Sequence, residues 1–194
     1  MAKGPQAPIQ VSCQGFVAAV GCWVRLSLPL LITFALTSQA TAEPVVRDGF
    51  EDATPSFAPL AADAPFQTQC HARVPNGAHS GQMAEFIQVA AGAGTYVHYS
   101  MPLGPAAVIP DLEPALWVRS PRGGAQLAAR VVFPRAVHPA TGGPISLLVR
   151  GDVYRQAGGW QRLALSNLPQ LVEREARLLR FERQTNVDVG EAYL

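Results

Sequence analysis

The side chains able to do chemistry in this sequence are few and scattered. Its histidines, His71, His79, His98 and His138, lie too far apart in sequence to suggest a local metal cluster. The close carboxylates are Glu51 with Asp52 and Asp111 with Glu113. Two carboxylates can divide acid and base roles in glycoside hydrolysis, but neighbouring acids in polar segments are more simply read as solvated loop residues. Cys70 adjoins His71. Adjacent side chains of an extended chain point to opposite faces, so the two do not form a thiol and its base, and Cys70 reads as a loop cysteine. No G-x-S-x-G, H-E-x-x-H or G-x-x-x-x-G-K-[ST] occurs, and Gly92-Ala93-Gly94 runs into Thr95-Tyr96-Val97, an incomplete dinucleotide fingerprint. The chain therefore reads as not an enzyme. With 15 Lys+Arg against 14 Asp+Glu and a formal charge of +1, it lacks the basic excess that binds a phosphate backbone or an anionic membrane surface.

What remains is recognition. Val97, Tyr99 and Met101 share one side of their segment, as do Leu127, Ala129, Val131 and Phe133, and Ile145, Leu147 and Val149, and these are the expected core. The opposite sides carry Tyr96 and His98, Gln126 and Arg130, and Arg150, Asp152 and Tyr154. As neighbours they would present aromatics beside arginines and an acid. A sugar ring packs its C–H groups on such aromatics while planar polar side chains hold its hydroxyls. Tyr96, His98, Arg130, Arg150 and Tyr154 are thus the candidate ligand-binding residues, and a polysaccharide or glycan is the expected partner. Plainer roles stay open: the arginines can pair with acids such as Asp152, and the tyrosines can pack across strands. Trp117 and Trp160 read as core or edge-covering aromatics more readily than as sugar platforms.

The elements that must hold these residues are strands. Short apolar runs broken by Gly, Pro and Asn give about eight of them, the rhythm of an all-β sandwich. The runs are 45–50, 85–90, 95–101, 116–120, 126–133, 145–154, 160–165 and a last one at 187–194. Turn signals at Gly92-Ala93-Gly94, Pro121-Arg122-Gly123-Gly124 and Ala157-Gly158-Gly159 make local antiparallel pairs. Residues 134–144 read as a longer connection projecting from one end. Asn167-Leu168-Pro169 opens one amphipathic helix that runs to Arg183, with Leu168, Leu171, Val172, Leu178, Leu179 and Phe181 as its apolar face and pairs such as Glu173 with Arg177 on the other.

Residues 1–42 read as a signal peptide and residues 43–194 as the domain. The uncharged run Leu26 to Leu36 follows Arg25 and precedes the small-x-small site Ala40-Thr41-Ala42, after which cleavage is expected. A retained anchor over Phe16 to Leu36 is interrupted by Arg25 and Pro29, and a lipoprotein reading through Cys22 has its apolar run on the wrong side of the cysteine. A start at Val24 would give a shorter, conventional leader. Either way the protein reads as exported: periplasmic, cell-surface or extracellular. Cys13 and Cys22 leave with the leader, so Cys70 alone remains and no internal disulfide framework is expected.

Asp48-Gly49-Phe50-Glu51-Asp52, followed by Asn76-Gly77-Ala78-His79-Ser80-Gly81-Gln82 and the strand Glu85 to Val89, resembles the N-terminal half of jelly-roll carbohydrate-binding modules of the galactose-binding-like superfamily. Leu116-Trp117-Val118-Arg119-Ser120 and Gly159-Trp160-Gln161-Arg162-Leu163 resemble its mid-domain strands. The resemblance implies a jelly-roll β-sandwich and a structural calcium. Glu51 would be its side-chain ligand and the stretch from His79 to Gln82 its carbonyl donors, together with an aspartate on a final strand that this sequence does not reach. Glu51 capping a turn is the competing reading of that residue. The leader, the sandwich with its helix and Gly151-Asp152-x-Tyr154 also resemble the N-terminal domains of large secreted planctomycete-type proteins, in which a glycosidase-like barrel follows. The sequence is accordingly expected to be truncated before its last strand, as the N-terminal fragment of a larger secreted protein. Two rivals to carbohydrate binding stand: a structural domain packing on a following glycosidase-like barrel, and a small polysaccharide-active enzyme.

Overall fold

The computed structural model describes residues 7–12, 48–75, 77–183 and 186–194. Among these the strands are β1 (Ala7–Ser12), β2 (Ala58–Ala62), β3 (Phe66–Pro75), β4 (Met83–Ala91), β5 (Val97–Ser100), β6 (Ala115–Arg119), β7 (Gln126–Val137), β8 (Pro144–Val153) and β9 (Gln161–Ala164), followed by helix α1 (Leu168–Arg183). Every strand pairing is antiparallel. One sheet has the order β3-β4-β1-β6-β9, and β2-β5 and β7-β8 form two-stranded ribbons. The described residues are all-β with one C-terminal helix, an arrangement consistent with a β-sandwich.

Period-two alternation builds the core as the sequence requires. Val131 and Phe133 of β7 and Ile145 and Val149 of β8 are buried, with Leu127, Ala129 and Leu147 packed beside them. Leu168, Val172 and Ala176 of α1 cover this cluster, joined by Val187 and Ala192. Burying each of the larger side chains is worth about 1.5–3 kcal/mol. Val118, Leu163 and Tyr154 form a second cluster under β6 and β9.

Several expectations change. None of the three expected local pairs forms: β5 pairs with β2 instead of β4, β6 with β1 and β9 instead of β7, and β8 with β7 instead of β9. The strand expected at 45–50 is irregular over Asp48 to Phe50, and residues 45–47 lie outside the described residues. Phe50 takes a left-handed backbone, φ 59°, its N–H donating to Asp48 Oδ1 at 2.7 Å, while its ring is fully buried. Instead β2 and β3 carry the N-terminal part of the domain. Cys70 lies on β3 at a register shift, not in a loop. β7 extends through Val137, so the connection to β8 is only residues 138–143, closed by His138 N–H donating to Gly143 O at 2.8 Å.

On α1, Leu178 and Phe181 face solvent, at 52% and 86% exposure, because Leu168, Val172 and Ala176 already span the covered stripe. Glu173 pairs with Arg180 at 3.1 Å rather than with Arg177. The terminal segment forms no strand: Tyr193 exchanges backbone hydrogen bonds with Val132, and Leu194 N–H donates to Ala106 O. The expected leader and its cleavage site lie outside the described residues, except that Ala7–Ser12 is paired into the sheet. No helix of the described residues is long and apolar enough to cross a membrane.

Candidate functional site

The two-stranded ribbon β2-β5 positions the first pair of candidates. Tyr99 turns inward, hydrogen-bonded to the Thr68 hydroxyl and edge-on to Phe66 and His71 at 6.5 and 5.9 Å between ring centres. Alternation then puts Tyr96 and His98 on the other face. Their rings stack, 4.4 Å between centres and 26° between planes, and Tyr96 is 44% exposed. Asp63 fixes the backbone that carries them. Its carboxylate accepts from Thr95 N–H at 2.8 and 2.9 Å and Tyr96 N–H at 3.1 Å, and from the Thr95 hydroxyl. The Thr95 hydroxyl bond above all, then the two amides, hold the Asp63 carboxyl down at about 2 against the ordinary 3.8. Gly94 allows this approach, since a Cβ there would stand 2.6 Å from Asp63 Oδ1.

Arg130 and Arg150 lie on the second ribbon. Arg130 opposes Leu148 and Ala128 opposes Arg150, so the two arginines are diagonal neighbours on the solvent face of β7-β8. Asp152 is not their partner: its Oδ2 accepts from Ala164 N–H at 3.0 Å. Tyr154, expected on the same face, is instead fully buried. Its hydroxyl reaches the carbonyls of Ser120 at 2.9 Å, Gly159 at 2.7 Å and Gln156. A phenol has one proton to give, so it donates to one of these at a time and ties the β6 end to the 156–159 turn. The ladder shifts register by one residue between Arg150, opposite Ala128, and Val153, opposite Gln126, and the extra residue on β8 turns Tyr154 to the inner face while its N–H still donates to Ala125 O at 2.7 Å. The structure thus keeps Tyr96 with His98 and Arg130 with Arg150, on separate ribbons, and removes Tyr154 from the surface.

A buried charged network went unread in the sequence. Glu85 of β4 is fully buried and accepts from Ser56 N–H at 2.8 Å and Phe57 N–H at 3.0 Å, with His71 Nε2 at 2.6 Å. Arg73 of β3, opposite Glu85 in the ladder, places its NH1 3.1 Å from Glu85 Oε2. That nitrogen is off the hydrogen-bond line, so the contact is an ion pair only. Arg73 also donates to Thr54 O at 3.0 Å and Ser56 Oγ at 2.5 Å, and its guanidinium lies 4.6 Å over the Phe50 ring. The network pins residues 48–57 to the sheet. Its one sequence signal was charge alternating toward the interior at His71, Arg73 and Glu85.

The pinned segment carries Glu51 to the turn at 79–82. Glu51 Oε1 accepts from Gln82 N–H at 3.0 Å, and a Cβ on Gly81, φ 73°, would strike that oxygen at 2.0 Å. The turn presents amide hydrogens to the carboxylate, which is the capping geometry. His79 stacks on Trp117, 3.6 Å between centres and 14° between planes, with Trp160 edge-on at 5.8 Å and Arg119 5.2 Å over Trp160. Calcium takes six to eight oxygens. The Glu51 carboxylate is met here by the Gln82 amide, and the described residues hold no group of three or more His, Cys, Asp or Glu placed for a metal. A further open cleft of about 310 Å³ lies between the start of α1, residues 107–109 and residues 189–192, lined by Val108, Pro169, Val172 and Glu173 among others.

Comparison of the chain with known protein families, with curated proteins and with solved structures found no match.

Proposed function

We propose that the chain is a non-catalytic carbohydrate-docking domain of an exported protein, with a jelly-roll sandwich of the galactose-binding-like kind. Tyr96 and His98 are the sugar-contacting residues in this reading. The observation that carries it is the exposed Tyr96–His98 stack, held by a turn that Asp63 has already ordered. A rigid aromatic ledge offers a pyranose ring a flat apolar surface at low entropic cost, while the histidine nitrogens and phenol supply polar contacts at the rim. Arg130 and Arg150 join only where a ligand spans both ribbons, which favours an oligosaccharide or polysaccharide over a monosaccharide. Docking is reversible and involves no chemical step.

The test is retention on a panel of immobilised polysaccharides. Folded Tyr96→Ala is expected to lose roughly tenfold or more in affinity, the scale of a removed aromatic platform, and His98→Ala somewhat less. Unchanged retention of both variants would sink this site. The second reading, a structural domain packing on a neighbouring domain, is favoured by Leu178 and Phe181, which stand exposed on α1. It predicts no retention on any polysaccharide by the wild-type chain.

A further inference from the structure

The five-stranded sheet is joined at its centre by a segment remote in sequence from the rest. β1 pairs with β4 from Ala7 opposite Val89 to Val11 opposite Glu85, and with β6 from Gln10 opposite Arg119 to Ser12 opposite Trp117. In this sheet β4 is otherwise bonded to β3 and β6 to β9. Without β1, two inner edges would face one another across roughly 9–10 Å, twice the usual strand spacing, with unpaired backbone groups on both sides. Both edges run antiparallel to β1, so the gap admits a strand in one direction only.

The sequence of β1 suits the gap. Ala7, Ile9 and Val11 alternate with Pro8, Gln10 and Ser12. The apolar positions are in register with Val89, Ile87 and Glu85, and that side of β4 is the buried one at Ile87 and Glu85. A slip of one residue would bring Pro8, Gln10 and Ser12 to those positions instead. Pro8, which has no N–H to donate, falls where β1 has β4 alone beside it. These residues also precede the apolar run Leu26 to Leu36 and Ala42, where the leader is expected to be cut. A chain severed there has no covalent hold on its central strand.

We propose that the gap between β4 and β6 is a strand-acceptor site. Ala7–Ser12 fills it in the intact chain. Severing the chain between residues 12 and 48 turns it into a docking site for an extended polypeptide segment with alternating apolar residues, bound antiparallel to both edges in the register of β1. Main-chain hydrogen bonds to two strands supply the affinity and the alternation supplies the register. In the intact chain the tethered segment competes at an effective concentration on the order of millimolar, which keeps the site closed.

The experiment places a specific protease site within residues 13–47 of the full chain, cuts the folded protein and offers a fluorescent synthetic peptide spanning residues 5–14. The cut chain is expected to take up the peptide at least tenfold more tightly than the uncut chain. Backbone amides of β4 and β6 should exchange at least tenfold faster once the severed fragment is removed, and return to their original protection with the peptide bound. A peptide carrying Ile9→Asp, or one with the alternation shifted by a residue, should not be taken up. Equal uptake by cut and uncut chain, uptake indifferent to the shift, or amide protection indifferent to occupancy overturns the proposal. Should removal of the fragment unfold the chain, refolding by the native peptide but not the shifted one supports the site, and refolding by neither overturns it.

Discussion

Glu85→Gln tests whether the buried network is what holds residues 48–57 in place. The substitution keeps size and shape but leaves the Arg73 guanidinium, whose side chain is 2% exposed, without its partner at 3.1 Å. Breaking one side of a buried ion pair costs about 3–5 kcal/mol. The lower end, about 3 kcal/mol, is expected because Asp48 Oδ2 remains 3.6 Å from Arg73 and is itself 25% exposed. Arg73→Met should cost about as much: Glu85 keeps the amides of Ser56 and Phe57 but loses its cation. The double variant buries neither charge and should lose only about 1–2 kcal/mol, so the two changes couple by several kcal/mol instead of adding. Urea denaturation at pH 7 reads this directly. With a slope of about 2 kcal/mol per molar, each single variant lowers the midpoint by roughly 1.5 M, and the double variant by less than 1 M. A double variant no more stable than Glu85→Gln would refute the reasoning, as would a single variant within about 0.5 kcal/mol of wild type.

Tyr154→Phe should lower stability by about 1–2 kcal/mol, since it removes the donor shared by the Ser120 and Gly159 carbonyls, and leave polysaccharide retention untouched; a selective loss of retention would restore Tyr154 to the binding face. Asp63 titrates low in the folded chain, so its hold on the β5 turn is complete above the ordinary 3.8 and is lost as pH falls through about 2. The Thr95 and Tyr96 amide resonances should shift with a midpoint near 2 and not at all in Asp63→Asn; a midpoint near 4 contradicts the geometry. Because Glu51 is engaged by the Gln82 amide, millimolar calcium against chelator should move Tm by less than about 1 °C; a larger rise abolished by Glu51→Gln would show that the turn rearranges to hold the ion.

The legible parts of the fold were those where one face of a strand is apolar. β7 and β8 show it: Val131, Phe133, Ile145 and Val149 recur at period two, and all are buried. β3 escaped for the opposite reason. Its interior positions are His71 and Arg73, satisfied by Glu85 and by backbone groups far away in sequence, so no hydrophobic period marks the strand. Tyr96 and His98 could be read because alternation alone sets their face. Tyr154 could not, because the one-residue register shift between Arg150 and Val153 reverses its face, and no residue type in the sequence marks that shift. On α1, the helical period found the buried stripe at Leu168 and Val172, yet it also counted Leu178 and Phe181, which no described element covers.

Five of the acids share one employment. Glu85 accepts the amides of Ser56 and Phe57, Glu51 that of Gln82, Asp63 those of Thr95 and Tyr96, Asp152 that of Ala164 and Asp188 that of Gly190. Apart from Ala164, which lies in β9, these N–H groups belong to segments outside the sheet ladder with no strand partner, and a carboxylate satisfies them. Two acids titrate low for this reason, because each hydrogen bond a carboxylate accepts favours its charged form. Asp63, down at about 2, shows the consequence, and Glu113, held below the usual range by Arg162 and then by Ser166, shows it with side-chain donors. Carboxylates placed in this way order loops, and at Asp63 the loop so ordered is the one that carries the Tyr96–His98 stack.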